Sequence, residues 1–113
     1  MTFYADCQAR VAVELISGRW PMVVLYALSK GPARPVDLRK HIGGISQKVL
    51  TETLRRLETN GLAERHRYAE APPRVEYSLT PAGQDLLIPI NALGDWAARH
   101  ADAVLAAQDR AAT

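Results

Sequence analysis

The stretch Ile45-Ser46-Gln47-Lys48-Val49-Leu50-Thr51-Glu52-Thr53-Leu54-Arg55-Arg56-Leu57-Glu58-Thr59-Asn60-Gly61-Leu62 decides the fold. Ser46 is placed to cap a helix, because its hydroxyl can accept from the unpaired amides of a first turn, and Asn60-Gly61 supplies the left-handed stop that ends one. Between these marks Leu50, Leu54 and Leu57 recur at helical spacing and define a buried side. Lys48, Thr51, Glu52, Arg55 and Thr59 then point away from the core. A helix divided in this way can enter a DNA major groove.

Upstream, Pro35 to Ile42 carries a short apolar stripe of Val36, Leu38 and Ile42 and ends at Gly43-Gly44. Two short helices joined by a glycine-containing turn form a helix-turn-helix, although an ordinary helical hairpin shares that pattern. Downstream, Leu62 to Tyr68 and Arg74 to Leu79 are β-prone, and they flank Ala69-Glu70-Ala71-Pro72-Pro73, which breaks any helix. The expected fold is therefore mainly α with a small β-hairpin, a winged helix-turn-helix. Arg65, Arg67 and Arg74 lie on the hairpin as candidate phosphate or minor-groove ligands, or as solvated strand charges.

These residues resemble the HxlR-type transcriptional regulators, a branch of the winged-helix regulators related to the MarR group. The matching elements are Gly18-Arg19-Trp20, Leu25 to Leu28 with Gly31, Arg34 with Leu38, Gly44-Ile45-Ser46 with Lys48, Leu50-Thr51, Leu54 to Leu57, Gly61-Leu62, Arg65, Pro72 to Tyr77, Leu79-Thr80, Gly83, Leu86 and Trp96. They run in order through nearly the whole chain. Arg19, Pro35 and Gln8 depart from the family's usual Lys, aromatic and Pro. The resemblance implies a cytoplasmic, dimeric DNA-binding regulator, commonly responsive to oxidants or electrophiles. The candidate DNA ligands are Arg34, Ser46, Gln47, Lys48, Thr51, Arg55, Arg65, Arg67 and Arg74.

At 113 residues the chain is expected to form one winged-helix domain, with 18–80 as the DNA-binding core and 1–17 and 81–113 as dimerisation segments. No apolar run is long enough to span a bilayer, and the N-terminus lacks the form of a signal peptide, so a cytoplasmic address is expected. A single cysteine rules out an internal disulfide, and no Cys/His cluster has zinc spacing, so neither metal nor cofactor is expected. The net charge of +2 is unevenly spread: residues 1–33 carry +1, 34–77 carry +3 and 78–113 carry −2. The excess falls on the expected reader and wing. So small an excess favours binding as a dimer at modest salt, since phosphate neutralisation dominates affinity.

The ends of the chain carry the expected dimer apparatus. After Thr80 as cap and Pro81 in the first turn, Leu86, Ile90, Leu93, Ala97, His100 and Val104 recur alternately four and three apart, with Trp96 beside them. Pro89 is expected to kink this helix near Leu87 or Ile88. A first helix from about Cys7 to Ile16 adds Ala9, Val13 and Ile16 as a second stripe. Both stripes could instead belong to one monomer's core. Trp20 to Leu28 is apolar almost all round, as in a central buried helix, and Trp20 and Trp96 read as packing anchors. His41, His66 and His100 are scattered and read as surface or interface side chains.

Cys7 is the residue with chemical potential. It lies at the expected start of a helix, where the helix dipole and the neighbouring Asp6 act on the thiol in opposite senses. The residue by itself reads as a small buried hydrophobe in the dimer interface, and the resemblance adds a sensor thiol as the second open reading. The main expectation is a sequence-specific regulator acting as a homodimer on an inverted repeat of double-stranded DNA, with a small-molecule electrophile or ligand as a further partner. The alternative is a winged-helix protein-interaction module, which calls for apolar residues on the exposed face of 46–59. An enzyme is the least supported class, because no phosphate cradle, metal cluster or nucleophile–base motif is present. The sequence leaves repression and activation equally open.

Overall fold

The fold, obtained as a computed structural model, describes residues 7–113. Asp6 and the stretch 1–6 of the expected dimerisation segment lie outside the described residues. The elements run α1 (Gln8–Ile16), α2 (Pro21–Leu28), α3 (Pro35–Ile42), α4 (Gln47–Thr59), β1 (Ala63–Tyr68), β2 (Arg74–Leu79) and α5 (Pro81–Ala112). This is the winged helix-turn-helix expected from the sequence, with boundaries within a residue or two.

Local chemistry sets those boundaries. Cys7 caps α1, its Sγ accepting from the Ala9 amide at 3.3 Å, so the thiol precedes the helix instead of opening it. Gly43 and Gly44 both have φ near +71°, which confines the turn between α3 and α4 to residues without a Cβ penalty. α4 ends in a Schellman arrangement. The Leu62 amide donates to the Leu57 carbonyl at 2.9 Å and the Gly61 amide to the Glu58 carbonyl at 3.0 Å, with Gly61 at φ +74°. Leu57 and Leu62, which accompany that turn, are both buried.

The core gathers Val24, Leu25 and Leu28 of α2, Leu38 of α3, Leu50, Leu54 and Leu57 of α4, with Ile45, Leu62 and Tyr77. Two expectations about faces are corrected. Val36 is 53% exposed, so the stripe of α3 reduces to Leu38 with partly buried Ile42, because eight residues give two turns and only one inward position reaches α2. α2 is not buried all round: Val23 and Tyr26 face outward, since α3, α4 and α5 cover only part of its circumference.

β1 and β2 pair antiparallel with Ala63 opposite Leu79 and Tyr68 opposite Arg74. A single-residue bridge extends the hairpin, Ala33 and Tyr77 exchanging amide–carbonyl bonds of 2.9 Å in both directions. The wing is thus tied to the segment that leads into α3. At the hairpin's far end the Thr80 hydroxyl donates to the Gly61 carbonyl at 2.6 Å and accepts from the Gly83 amide at 3.1 Å, capping α5. Gly83 lies so close to the Leu62 carbonyl that a Cβ there has no room.

α5 continues as one helix through Pro89, the residue expected to kink it near Leu87 or Ile88. Proline removes one amide donor, which leaves the Asp85 carbonyl without its helical partner; Asp85 and Pro89 are both exposed, so water can replace the lost bond. The first turns of α5 belong to the monomer: Ile90 is 8% exposed, and Leu86 and Leu87 pack on the same core. Ile16 at the end of α1 packs there too. Among the described residues, no single helix is long and apolar enough to cross a membrane.

Candidate nucleic-acid interface

α4 presents its faces as its sequence periodicity requires. At about 100° per residue, Lys48, Glu52, Arg55 and Thr59 fall on the side opposite Leu50, Thr53, Leu54 and Leu57. The first four are exposed and the last four buried. Thr51 stands at the border and is half-buried. Thr53 is a buried polar residue that periodicity alone did not single out; its hydroxyl donates to the Val49 carbonyl at 2.8 Å and so is satisfied within the helix. The outward stripe carries no apolar side chain, which removes the feature that a protein-docking face requires.

The start of α4 exposes polar and basic groups. The Ser46 hydroxyl accepts from the Val49 amide at 3.1 Å, so its acceptor role is spent on the cap while its proton remains free to donate. Gln47 and Lys48 follow, exposed, at the positive end of the helix dipole. Arg39 of α3 extends its Nε to the Ile45 carbonyl at 3.4 Å, bracing the turn that delivers Ser46. Arg34, the cap of α3, is exposed and pairs with Asp37 at 3.2 Å.

The two faces of the wing differ. Directly opposed residues share a face, so Arg65 and Arg67 stand with Tyr77 and Val75, whereas Glu64, His66 and Tyr68 stand with Ser78, Glu76 and Arg74. Arg65 and Arg67 are exposed and, among the described residues, have no ion-pair partner. Arg74 has several. Its Nη2 lies 3.3 Å from Glu70 and its Nη1 3.4 Å from Glu76, its guanidinium stacks on Tyr68, and its Nε is buried without a partner. With its side chain 35% exposed and two carboxylates engaged, Arg74 ties the wing together, whereas Arg65 and Arg67 stand free of carboxylates. His66 is likewise occupied, 3.2 Å from the Ser78 hydroxyl and 3.4 Å from Glu64.

The expected seam divides. Ile90 and Leu86 are taken by the chain's own core, but Leu93 and Trp96 are each 49% exposed, and Val13 and Val104 are exposed as well. Trp96 is therefore no core anchor; its ring sits 5.2 Å from that of His100, one turn along. Ala9 and Ala97 are half-buried. An apolar groove of about 700 Å³ opens between α2 and α5, walled by Met22, Val23 and Tyr26 on one side and by Ile90, Leu93 and Ala97 on the other. Among the described residues, no cluster of His, Cys, Asp and Glu could hold a metal ion.

Comparison with known proteins agrees with this geometry. Residues 15–104 match the HxlR-like helix-turn-helix family. The chain is 40% identical over 110 residues to the uncharacterized HTH-type transcriptional regulator YtfH of Escherichia coli, covering 97% of this chain and 87% of that protein. The reduced form of the redox regulator HypR superposes with a TM-score of 0.81 at 30% identity, over 88% of this chain and 99% of that one. The diamide-treated form of YodB from B. subtilis superposes with a TM-score of 0.74 at 33% identity, over 85% of this chain and 96% of that one. The family and these relatives are transcriptional regulators, not enzymes. On the match across its reader, wing and flanking helices, the chain belongs to the HxlR-like helix-turn-helix family of transcriptional regulators.

Proposed function

We infer that the protein binds duplex DNA as a homodimer on an inverted repeat, with α4 in the major groove and the wing on the flanking backbone. The observation that carries this reading is the outward stripe of α4, polar and basic on a helix whose three leucines are all buried. Gln47, Lys48, Thr51 and Arg55 are the base-facing candidates, with Ser46 and Arg34 as donors to phosphate. Arg65 and Arg67 are the wing's phosphate ligands, being the cations of the hairpin with no carboxylate partner.

Dimerisation is supported by the exposed apolar side chains of α1 and α5, which a monomer leaves in water. Ala9, Val13, Leu93, Trp96, Ala97, His100 and Val104 supply that surface; Ile16, Leu86 and Ile90 support it from beneath. Cys7 is the proposed redox or electrophile sensor, supported by its half-buried place at the cap of α1 and by similarity to the redox regulator HypR and to YodB in its diamide-treated form. Footprinting of purified protein on genomic fragments, with sedimentation at the same concentrations, tests the reading. Two protected half-sites about one helical turn apart, or a multiple, and a dimer are expected. Protection of a single half-site by a monomer would overturn it.

A further inference from the structure

Arg56 belongs to neither face of α4. At about 100° per residue it lies to the side, between the outward stripe of Lys48 and Arg55 and the buried stripe of Leu50 and Leu54. From there its guanidinium crosses to α1. Nη2 donates to the Glu14 carbonyl at 2.7 Å and Nη1 approaches the Ser17 carbonyl at 3.5 Å, over sequence separations of 42 and 39 residues. Glu14 lies in the last turn of α1 and Ser17 is its C-cap, so both carbonyls are among those that no helical amide can reach. They also form the negative end of the helix dipole, and the last turn of α1 has no basic residue of its own to answer it.

We propose that Arg56 is a positioning residue that fixes the direction of α1 relative to the recognition helix, and through it the spacing of the two reading heads. The proposal rests on the dimeric DNA-binding reading. α1 carries Ala9 and Val13 on its free surface, and α4 carries the readers. α1 packs mainly on α2, and Arg56 provides the hydrogen bonds that join α1 directly to α4. A planar fork that meets two carbonyls defines an orientation as well as a distance, which one ammonium cannot do. A change in the tilt of α1 then works against both contacts of the fork. Because the pair is exposed, its importance lies in geometry more than in stability.

Two measurements on the full-length protein, Arg56→Met and Arg56→Lys test this. Methionine keeps the length and apolar stem but has no donor. Hydrogen exchange of the free protein reads the tether without DNA: Arg56→Met should speed exchange of the α1 amides and leave the β1–β2 hairpin unchanged, with Arg56→Lys restoring part of the protection. Unchanged α1 exchange overturns the tether whether or not DNA is bound. The second measurement is affinity for paired operators whose half-sites are separated by the native spacing or by two extra base pairs. The parent should discriminate between them, and Arg56→Met should lose that discrimination by on the order of fivefold while remaining a dimer. Equal discrimination in parent and variant overturns the role in head spacing. Failure of the parent to bind any operator, with the exchange difference intact, would refute the DNA-binding reading and the head-spacing role, and would leave the contact between α1 and α4 standing.

Discussion

The guanidinium of Arg74 stacks 4.3 Å from the centre of the Tyr68 ring, the residue directly opposite it across the wing. Glu70 and Glu76 hold the same group from either side, so a cation, a ring and two carboxylates close the hairpin beside its tip. Arg65 and Arg67 stand on the other face without such partners.

The two kinds of wing arginine should separate in a salt titration. Arg65→Ala and Arg67→Ala should each flatten the slope of log affinity against log salt by about one unit, the signature of a lost phosphate contact. Arg74→Ala should leave the slope unchanged and instead lower thermal stability by about 1 kcal/mol, with lysine a poor replacement because it lacks the planar fork. A slope change in Arg74→Ala equal to that of Arg65→Ala would return it to the phosphate ligands.

Arg55 should read sequence. Its substitution by alanine is expected to cost about 1–3 kcal/mol on the cognate site and far less on random DNA, measured by competition binding. Equal losses on both would reduce Arg55 to a phosphate anchor.

Gly83→Ala should destabilise the fold by roughly 1–3 kcal/mol, because the new methyl group meets the backbone carbonyl of Leu62, which cannot rotate away as a side chain can. Urea unfolding followed by circular dichroism checks this. A neutral result would mean that the first turn of α5 shifts freely from the end of α4.

The monomer's core and the proposed interface can be told apart on α5. Ile90→Ala should cost roughly 2–5 kcal/mol of folding stability, since Ile90 is buried in its own chain. Leu93→Glu, three residues on and half-exposed, should leave secondary structure intact and shift sedimentation toward monomer. A Leu93→Glu protein that remains a dimer would place the interface elsewhere.

Cys7→Ser should keep α1 capped, as serine is a good N-cap and can accept from Ala9 as the thiol does. Diamide should lower or shift operator affinity in the parent, with recovery on reduction, and have no effect on the serine protein. A response that survives in Cys7→Ser would remove the thiol from the mechanism.

What the sequence by itself determined is local. Ser46, Gly43-Gly44, Asn60-Gly61 and the Pro72-Pro73 tip act through caps, positive φ and a missing amide, which depend on neighbours a few residues away and hold wherever the segment sits. Helical spacing likewise told inward from outward on α4. Part of the pairing of Arg74 was legible in principle: Glu76, two residues beyond it, must share its face of a strand. Only the tertiary structure decided which charges are occupied and which apolar stripes are already covered. Tyr68 meets Arg74 through strand register, and Arg56 meets Glu14 across 42 residues. Leu93 and Ile90 carry the same apolar signal, yet only Ile90 is covered by the chain itself. Periodicity states that a face is apolar; what covers it depends on how the other elements pack, which no local pattern encodes.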